Sequence, residues 1–136
     1  MNYWLVKSDP ETYSWQDLLK DGKTSWDGVR NYAARIHLRG MKKGDLVLVY
    51  HSGGESVVLG IASISKENYP DPTTKDDAWV SVELKAVKAL KTGVTLKQIK
   101  SDKSLKDIAL IKISRLSVMP IRKEEYDRIL EMSDGD

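Results

Sequence analysis

The chain of 136 residues sets 22 Lys and Arg against 20 Asp and Glu, a formal charge of +2, and carries no cysteine and two histidines. That length is enough for one self-sufficient core; the lack of Cys excludes a disulfide scaffold, a thiolate metal site and a Cys nucleophile, and His37 and His51 alone do not make a zinc site of ordinary composition. A hydrophobic fraction of 40% with 31% charged residues is that of an ordinary folded protein rather than a disordered one.

Taken in chain order, the opening apolar run is too short for a secretory or membrane segment and meets Lys7, Asp9 and Glu11 at once; it reads as a first strand, 3–7, of an intracellular, cytoplasmic protein. Ser14 can cap a helix over 15–21, with Asp17 reaching back and Gly22 as the stop. The stretch Ser25-Trp26-Asp27-Gly28 reads as a turn. Asn31 can cap a helix over 32–39, closed by Gly40. Strands follow over 45–51 and 56–65, and Gly53-Gly54 between them predicts an antiparallel hairpin with a tight turn. Residues 46–50 are apolar on both faces, as in a strand curled inside a small barrel or covered by a helix.

In the strand 79–90, Val80, Val82, Leu84 and Ala86 alternate with Trp79, Ser81, Glu83 and Lys85, which predicts one core face and one wet face. Thr95 can cap a short helical turn through Ile99. A late run, 110–119, reads as an interrupted strand that puts Arg115 and Ser117 on one face and Leu116 and Val118 on the other. Pro120 precedes a last helix with Tyr126, Ile129 and Leu130 inward. Strands dominate and helices come singly, so the expected fold is α+β, a small mixed β-barrel, partly open, with peripheral short helices.

Charge is uneven along this order. Basic residues gather without acids over 30–43 and 85–100, and again over 112–123, where Lys112, Arg115, Arg122 and Lys123 precede Glu124. Such runs usually only solvate a surface, but three in one small domain point to a polyanion. On the helix 32–39, Ala33, Ala34, His37, Leu38 and Met41 share one arc while Tyr32, Arg35, Ile36 and Arg39 share the other. Arginine forks pair with phosphates and a tyrosine ring stacks on a base, so the second arc suits a nucleic acid. There are four Trp and six Tyr but no Phe. Trp4 and Trp15 fit core positions, whereas Trp26, in its turn, suits a site with one wet side.

The catalytic patterns fail one by one. Neighbours in a strand point to opposite faces, so His51-Ser52 is no nucleophile pair. Gly53-Gly54 lacks the continuation of a phosphate loop. Glu124-Glu125 reads as helix N-terminal acids and Asp76-Asp77 as a solvated loop.

Several segments, in order, resemble a known family. Trp4-Leu5-Val6-Lys7-Ser8-Asp9-Pro10 is similar to the opening Trp-Leu-x-Lys-Ser-Glu-Pro of EVE domains, and Trp26-Asp27-Gly28-Val29-Arg30-Asn31-Tyr32-Ala33-Ala34-Arg35 to their Trp-x-Gly-Val-Arg-Asn-Tyr-Gln-Ala-Arg block. The series continues through Met41-Lys42-x-Gly44-Asp45, Tyr50-His51-Ser52, Gly60-Ile61-Ala62, Tyr69-Pro70-Asp71 and Arg115-Leu116-Ser117-Val118-x-Pro120. On this likeness, 1–136 is identified as a single EVE domain.

The resemblance implies a PUA-like β-barrel related to the YTH domains, whose pocket accepts a base, a modified one, extruded from DNA or RNA. Matched by position, the pocket residues would be Lys7, Ser8, Trp26, Asn31, Tyr32, His51, Ser52, Arg115 and Ser117. Arg30, Arg35, Arg39, Lys42 and Lys43 would hold flanking phosphates. The expected molecule is a monomeric, non-catalytic binding domain with a nucleic-acid partner and no cofactor, metal or membrane. Ala33 stands where the family shows Gln, and Ile36-His37 where it more often shows Asn. The expected consequence is a roomier pocket with one polar partner fewer and a modest preference for a bulkier modified base. Two alternatives stay open: an enzyme or small-molecule binder acting on a nucleotide-like planar ligand, since the fold hosts several activities, and a protein-docking surface.

Overall fold

A computed structural model describes residues 1–53 and 55–135. The elements are β1 (Tyr3–Ser8), α1 (Trp15–Asp21), β2 (Lys23–Trp26), α2 (Tyr32–Gly40), β3 (Leu46–His51), β4 (Val57–Pro70), β5 (Val80–Thr95), α3 (Leu96–Ser101), a 3-10 turn (Lys103–Leu105), α4 (Ala109–Lys112), β6 (Val118–Ile121) and α5 (Lys123–Gly135). All six strands join one sheet in the order β2-β5-β4-β3-β1-β6. Among the described residues only the β1 to β3 pairing is parallel.

Local chemistry sets the helix starts. Ser14 and Asp17 close a reciprocal capping box on α1, Asn31 accepts from the Ala34 N–H at the head of α2, and Thr95 and Gln98 repeat the box on α3. Each satisfies N–H groups that a helix leaves without partners. Strands β1 and β3 are neighbouring interior strands of the sheet, and Leu5, Val6, Val47, Leu48 and Val49 are at most 1% exposed, as expected of strands covered on both faces. Trp4 and Trp15 are core residues; the Trp4 indole N–H donates to the buried Asp45 carboxylate at 2.9 Å.

The expected barrel does not close. The sheet ends in β2 and β6, each of four residues, and Pro120 within β6 offers no N–H to a further neighbour. Helix α2 packs against both β5 and β6, so the sheet curls around this helix without the hydrogen bonds that would join its edges. The architecture is a mixed α+β fold with an open six-stranded sheet and short helices.

Other expectations shift with tertiary context. Strands β4 and β5 extend well past 65 and 90 because they continue to pair with each other, as far as Pro70 opposite Val80 and Val57 opposite Thr95, through several register shifts. Ser81, placed on the wet face by alternation, is fully buried. The hairpin of β3 and β4 is present, with His51 opposite Val57, while Gly54 of its turn lies outside the described residues. The run 110–119 is not one strand: Leu110 belongs to α4, Arg115 lies in a turn, and only Val118 onward pairs with β1. Arg115 and Ser117 therefore do not share a strand face. Residues 23–26, ending in Trp26, form β2 rather than the start of a turn over 25–28, because they pair with Leu84, Lys85 and their neighbours on β5.

Candidate functional site

The C-terminal end of β1, the end of β2 and the loop 27–30 enclose a cleft of about 510 Å³, a volume within the ordinary range for small planar ligands. The β1 to β6 alignment continues past the ladder, since the Lys7 N–H donates to the Ser117 carbonyl at 2.9 Å. This brings Ser117 beside Lys7 and Ser8. Trp26 enters because it ends β2 opposite Val82. Tyr13 stands edge-on to it, 6.3 Å away at 85°. Thr12 and Asp27 complete the polar margin.

The loop 27–30 is held from below by one carboxylate. Asp71, whose side chain is 0% exposed, accepts on one oxygen from the Gly28 N–H and from Arg30 Nη1, both at 2.8 Å. Its other oxygen accepts from the Thr73 N–H and hydroxyl, at 2.7 and 2.6 Å. Burial would raise this carboxyl, but the bonds from Arg30, Thr73 and Gly28 outweigh it and hold the group well below the usual carboxylate range. Gly28 has φ +75°, a backbone state that glycine adopts without a Cβ penalty. Arg30 is thereby fixed at the cleft, with Nη2 donating to Thr73 Oγ1 at 3.0 Å.

Several polar groups of the cleft are already engaged. The Ser8 hydroxyl donates to the Tyr13 carbonyl, and Lys7 Nζ donates to the Ser114 carbonyl at 2.6 Å. Burial lowers the Lys7 ammonium. Partial desolvation, then the negative charge of Asp71, raise the Asp27 carboxyl. The result is an aromatic wall with acceptors and donors at its edge, an arrangement that can cover a ring and hydrogen-bond its periphery. Among the described residues no group of three His, Cys, Asp or Glu side chains is placed to hold a metal ion. None of the described helices is long and apolar enough to cross a membrane.

Of the residues singled out in the sequence, the structure gathers Lys7, Ser8, Trp26, Arg30 and Ser117 around the cleft. It places the others elsewhere. The Asn31 side-chain oxygen caps α2, accepting from the Ala34 N–H at 3.0 Å. Tyr32 is 67% exposed and its ring meets Trp79, centroids 5.3 Å apart, outside the cleft. His51 is buried, its Nε2 accepting from the Trp15 N–H at 2.9 Å, and Ser52 is bound through its own N–H to the Ser8 carbonyl at 3.0 Å. Arg115 is exposed in its turn.

Arg35 and Arg39 both reach the Ala78 carbonyl, at 3.0 and 3.3 Å, and Lys42 and Lys43 are exposed in the turn after α2. Ala33 is exposed on α2 and is not among the residues that line the cleft. Sequence reasoning passed over Thr12, Tyr13 and Asp27, and gave Asp71 no role. Tyr13 directly precedes the Ser14 cap, the position from which an apolar residue often packs onto a new helix; that was its available signal.

The family model for the EVE domain matches residues 2–132. Mouse (Mus musculus) thymocyte nuclear protein 1 is 35% identical, with 98% of this chain and 74% of the relative aligned. A solved structure from Agrobacterium tumefaciens superposes with a TM-score of 0.96 at 38% identity, covering 98% of this chain and 94% of the other. Human thymocyte nuclear protein 1, solved in complex with DNA containing 5-methylcytosine, superposes with a TM-score of 0.93 at 33% identity, covering 100% and 99%. A YTH domain from Zygosaccharomyces rouxii, at 11% identity and a TM-score of 0.63 over 98% and 87%, shares the fold.

Proposed function

This chain belongs to the EVE domain family, and on that basis we propose that it is a non-catalytic reader of nucleic acid, one that takes a modified base into the cleft beside Trp26. The observation that carries this reading is the cleft itself, where the half-buried Trp26 stands among Lys7, Ser8, Ser117, Asp27 and Arg30. A base ring stacked on Trp26 presents its edge to these groups, and the Asp27 carboxylate accepts from an exocyclic amino group such as that of cytosine or adenine. The complex of human thymocyte nuclear protein 1 with 5-methylcytosine DNA supports the ligand class. The Ser8 hydroxyl and Lys7 ammonium, which a catalyst would need free, are bonded to main-chain carbonyls. That supports binding without chemistry on the base. Arg39, Lys42 and Lys43, exposed around the end of α2, are proposed to meet the backbone phosphates.

The test compares Trp26→Ala with the wild type in binding to otherwise identical strands that carry plain, 5-methyl or 5-hydroxymethyl cytosine. Removing a stacking ring should cost about 1–3 kcal/mol of affinity. A methyl covered by an apolar wall should be worth about 0.8 kcal/mol, near fourfold. Equal affinity for all three strands, or a Trp26→Ala protein that melts early yet binds as before, would overturn the proposal.

A further inference from the structure

Tyr32 and Trp79, neither of which lines the cleft, form with two arginines a surface of defined geometry at its edge. The Tyr32 and Trp79 rings lie 5.3 Å apart at 35°. The Arg35 guanidinium carbon stands 4.9 Å from the Tyr32 ring centre and 5.4 Å from that of Trp79. Arg30, at the cleft, approaches the same Trp79 ring at 5.4 Å. The group is braced from behind. Arg35 Nη1 and Arg39 Nη2 donate to the Ala78 carbonyl, and Asp76 accepts from the Ala78 N–H at 2.9 Å, so the residue before Trp79 is held on both its polar atoms. Tyr32 is 67% exposed and Ile36, one turn on along the same face, is 63% exposed.

A large apolar surface left in water and fenced by cations matches a particular kind of ligand. The first turn of α2 contains no acid, and Arg35, Arg39, Lys42 and Lys43 follow within and just beyond the helix. The complement is therefore flat, apolar on its faces and attached to an anionic chain, which describes a nucleobase on its phosphate backbone. Connectivity narrows the choice further. Arg30 lines the cleft and approaches the Trp79 ring at 5.4 Å, and Trp79 meets Tyr32 at 5.3 Å, so the Trp79 ring links the cleft's arginine to Tyr32. Successive nucleotides of a strand rise by about 3.4 Å when stacked and reach farther when extended.

We propose that Tyr32, backed by Trp79 and Arg35 and flanked by Ile36, is a stacking platform for the base next to the one held in the cleft. The inference rests on the reading of the cleft above and deepens it: the protein recognises a dinucleotide step rather than an isolated base. The platform explains why an aromatic ring is left exposed on a helix whose other arc is buried at Ala34 and Leu38. It also gives Arg35 a positioning role, since its guanidinium holds both rings.

A double-mutant cycle tests this, with the full chain and single-stranded DNA of about ten nucleotides carrying one 5-methylcytosine. Affinities of the wild type, Tyr32→Ala and Tyr32→Phe are measured against the intact strand and against strands made abasic at the target, on its 5′ side or on its 3′ side. Stacking predicts that Tyr32→Ala and one of the two flanking abasic sites each weaken binding by about 5- to 150-fold. The two changes together should weaken it no more than either alone, and Tyr32→Phe should bind like the wild type. If the Tyr32 and flanking losses multiply, or if Tyr32→Ala costs nothing, the platform is refuted while the cleft reading stands. A wild type indifferent to an abasic target overturns the cleft reading, and the platform with it.

Discussion

Asp71→Asn is the most informative single change in the loop that shapes the cleft. Asn is nearly the same size, but its amide offers one acceptor oxygen where the carboxylate offers two. Either the Thr73 pair or the Gly28 and Arg30 pair must then face an NH₂ group. The Arg30 side chain is 40% exposed and can return to water, so its bond to Asp71 is worth only about 0–1 kcal/mol. The Gly28 N–H, or the Thr73 N–H in its place, loses a charge-assisted bond worth about 1.5–3 kcal/mol. Together these give roughly 1.5–4 kcal/mol and, for a chain of this size, a Tm lower by roughly 4–20 °C.

The acid limb gives a second reading of the same group. The folded carboxyl lies below its ordinary value of 3.8, so on acidification the unfolded chain takes up the proton first. The stability Asp71 contributes is present above that value and is lost as the pH falls below it toward the folded pKa. Asp17, Asp45 and Asp102 are also lowered, so the difference between variant and wild type isolates Asp71. Urea unfolding from pH 7 to pH 2 measures both effects. The variant should be weaker at pH 7 and converge on the wild type in acid. Equal stability at pH 7 with parallel acid limbs would refute the clasp.

Three further outcomes are expected. Burial lowers His51 below 6.5, and its Nε2 must stay unprotonated to accept from Trp15. Stability should therefore be full above pH 6.5 and decline below it, and His51→Gln, which keeps an acceptor but does not titrate, should flatten that decline; an identical slope in both proteins would exclude the role. At Gly60 an added Cβ would stand 2.2 Å from Trp15 Cζ2, so Gly60→Ala must displace a buried indole at about 1–3 kcal/mol or more, and a melting curve matching the wild type would show that the indole yields. The Arg39→Ala, Lys43→Ala double variant should bind nucleic acid with a log affinity against log salt slope about 0.7–0.9 shallower for each phosphate no longer neutralised; an unchanged slope would remove the end of α2 from the interface.

The helix starts, which depend on partners three residues apart, were legible in the order of the amino acids. Ser14 with Asp17, Asn31 with Ala34 and Thr95 with Gln98 mark helix starts because a cap bonds an N–H three positions on. The apolar runs at 3–7 and 45–51 mark two interior strands, since residues apolar on both faces must be covered on both. Trp26 was legible as a residue at a wet boundary, though not as the end of a strand. Residues 23–26 have no periodic pattern, and only pairing with β5 makes them β2.

The rest of the site depends on partners that only folding brings together. Asp71 clasps Arg30 across 41 positions and Gly28 across 43, a separation over which no local rule operates. His51 and Asn31 have side chains that could face a ligand, yet one is committed to the first N–H of α1 and the other to a cap. A polar group answers to whichever partner the folded chain brings nearest, because a buried donor or acceptor left alone costs more than its pairing gains. The same reason separates Tyr32 from the cleft: its position in α2 was readable, but the ring it meets, Trp79, lies 47 residues on and is delivered by the turn before β5. The open sheet likewise follows from its two short edge strands and from the helix packed against β5 and β6, and none of these is visible in the alternation of any one strand.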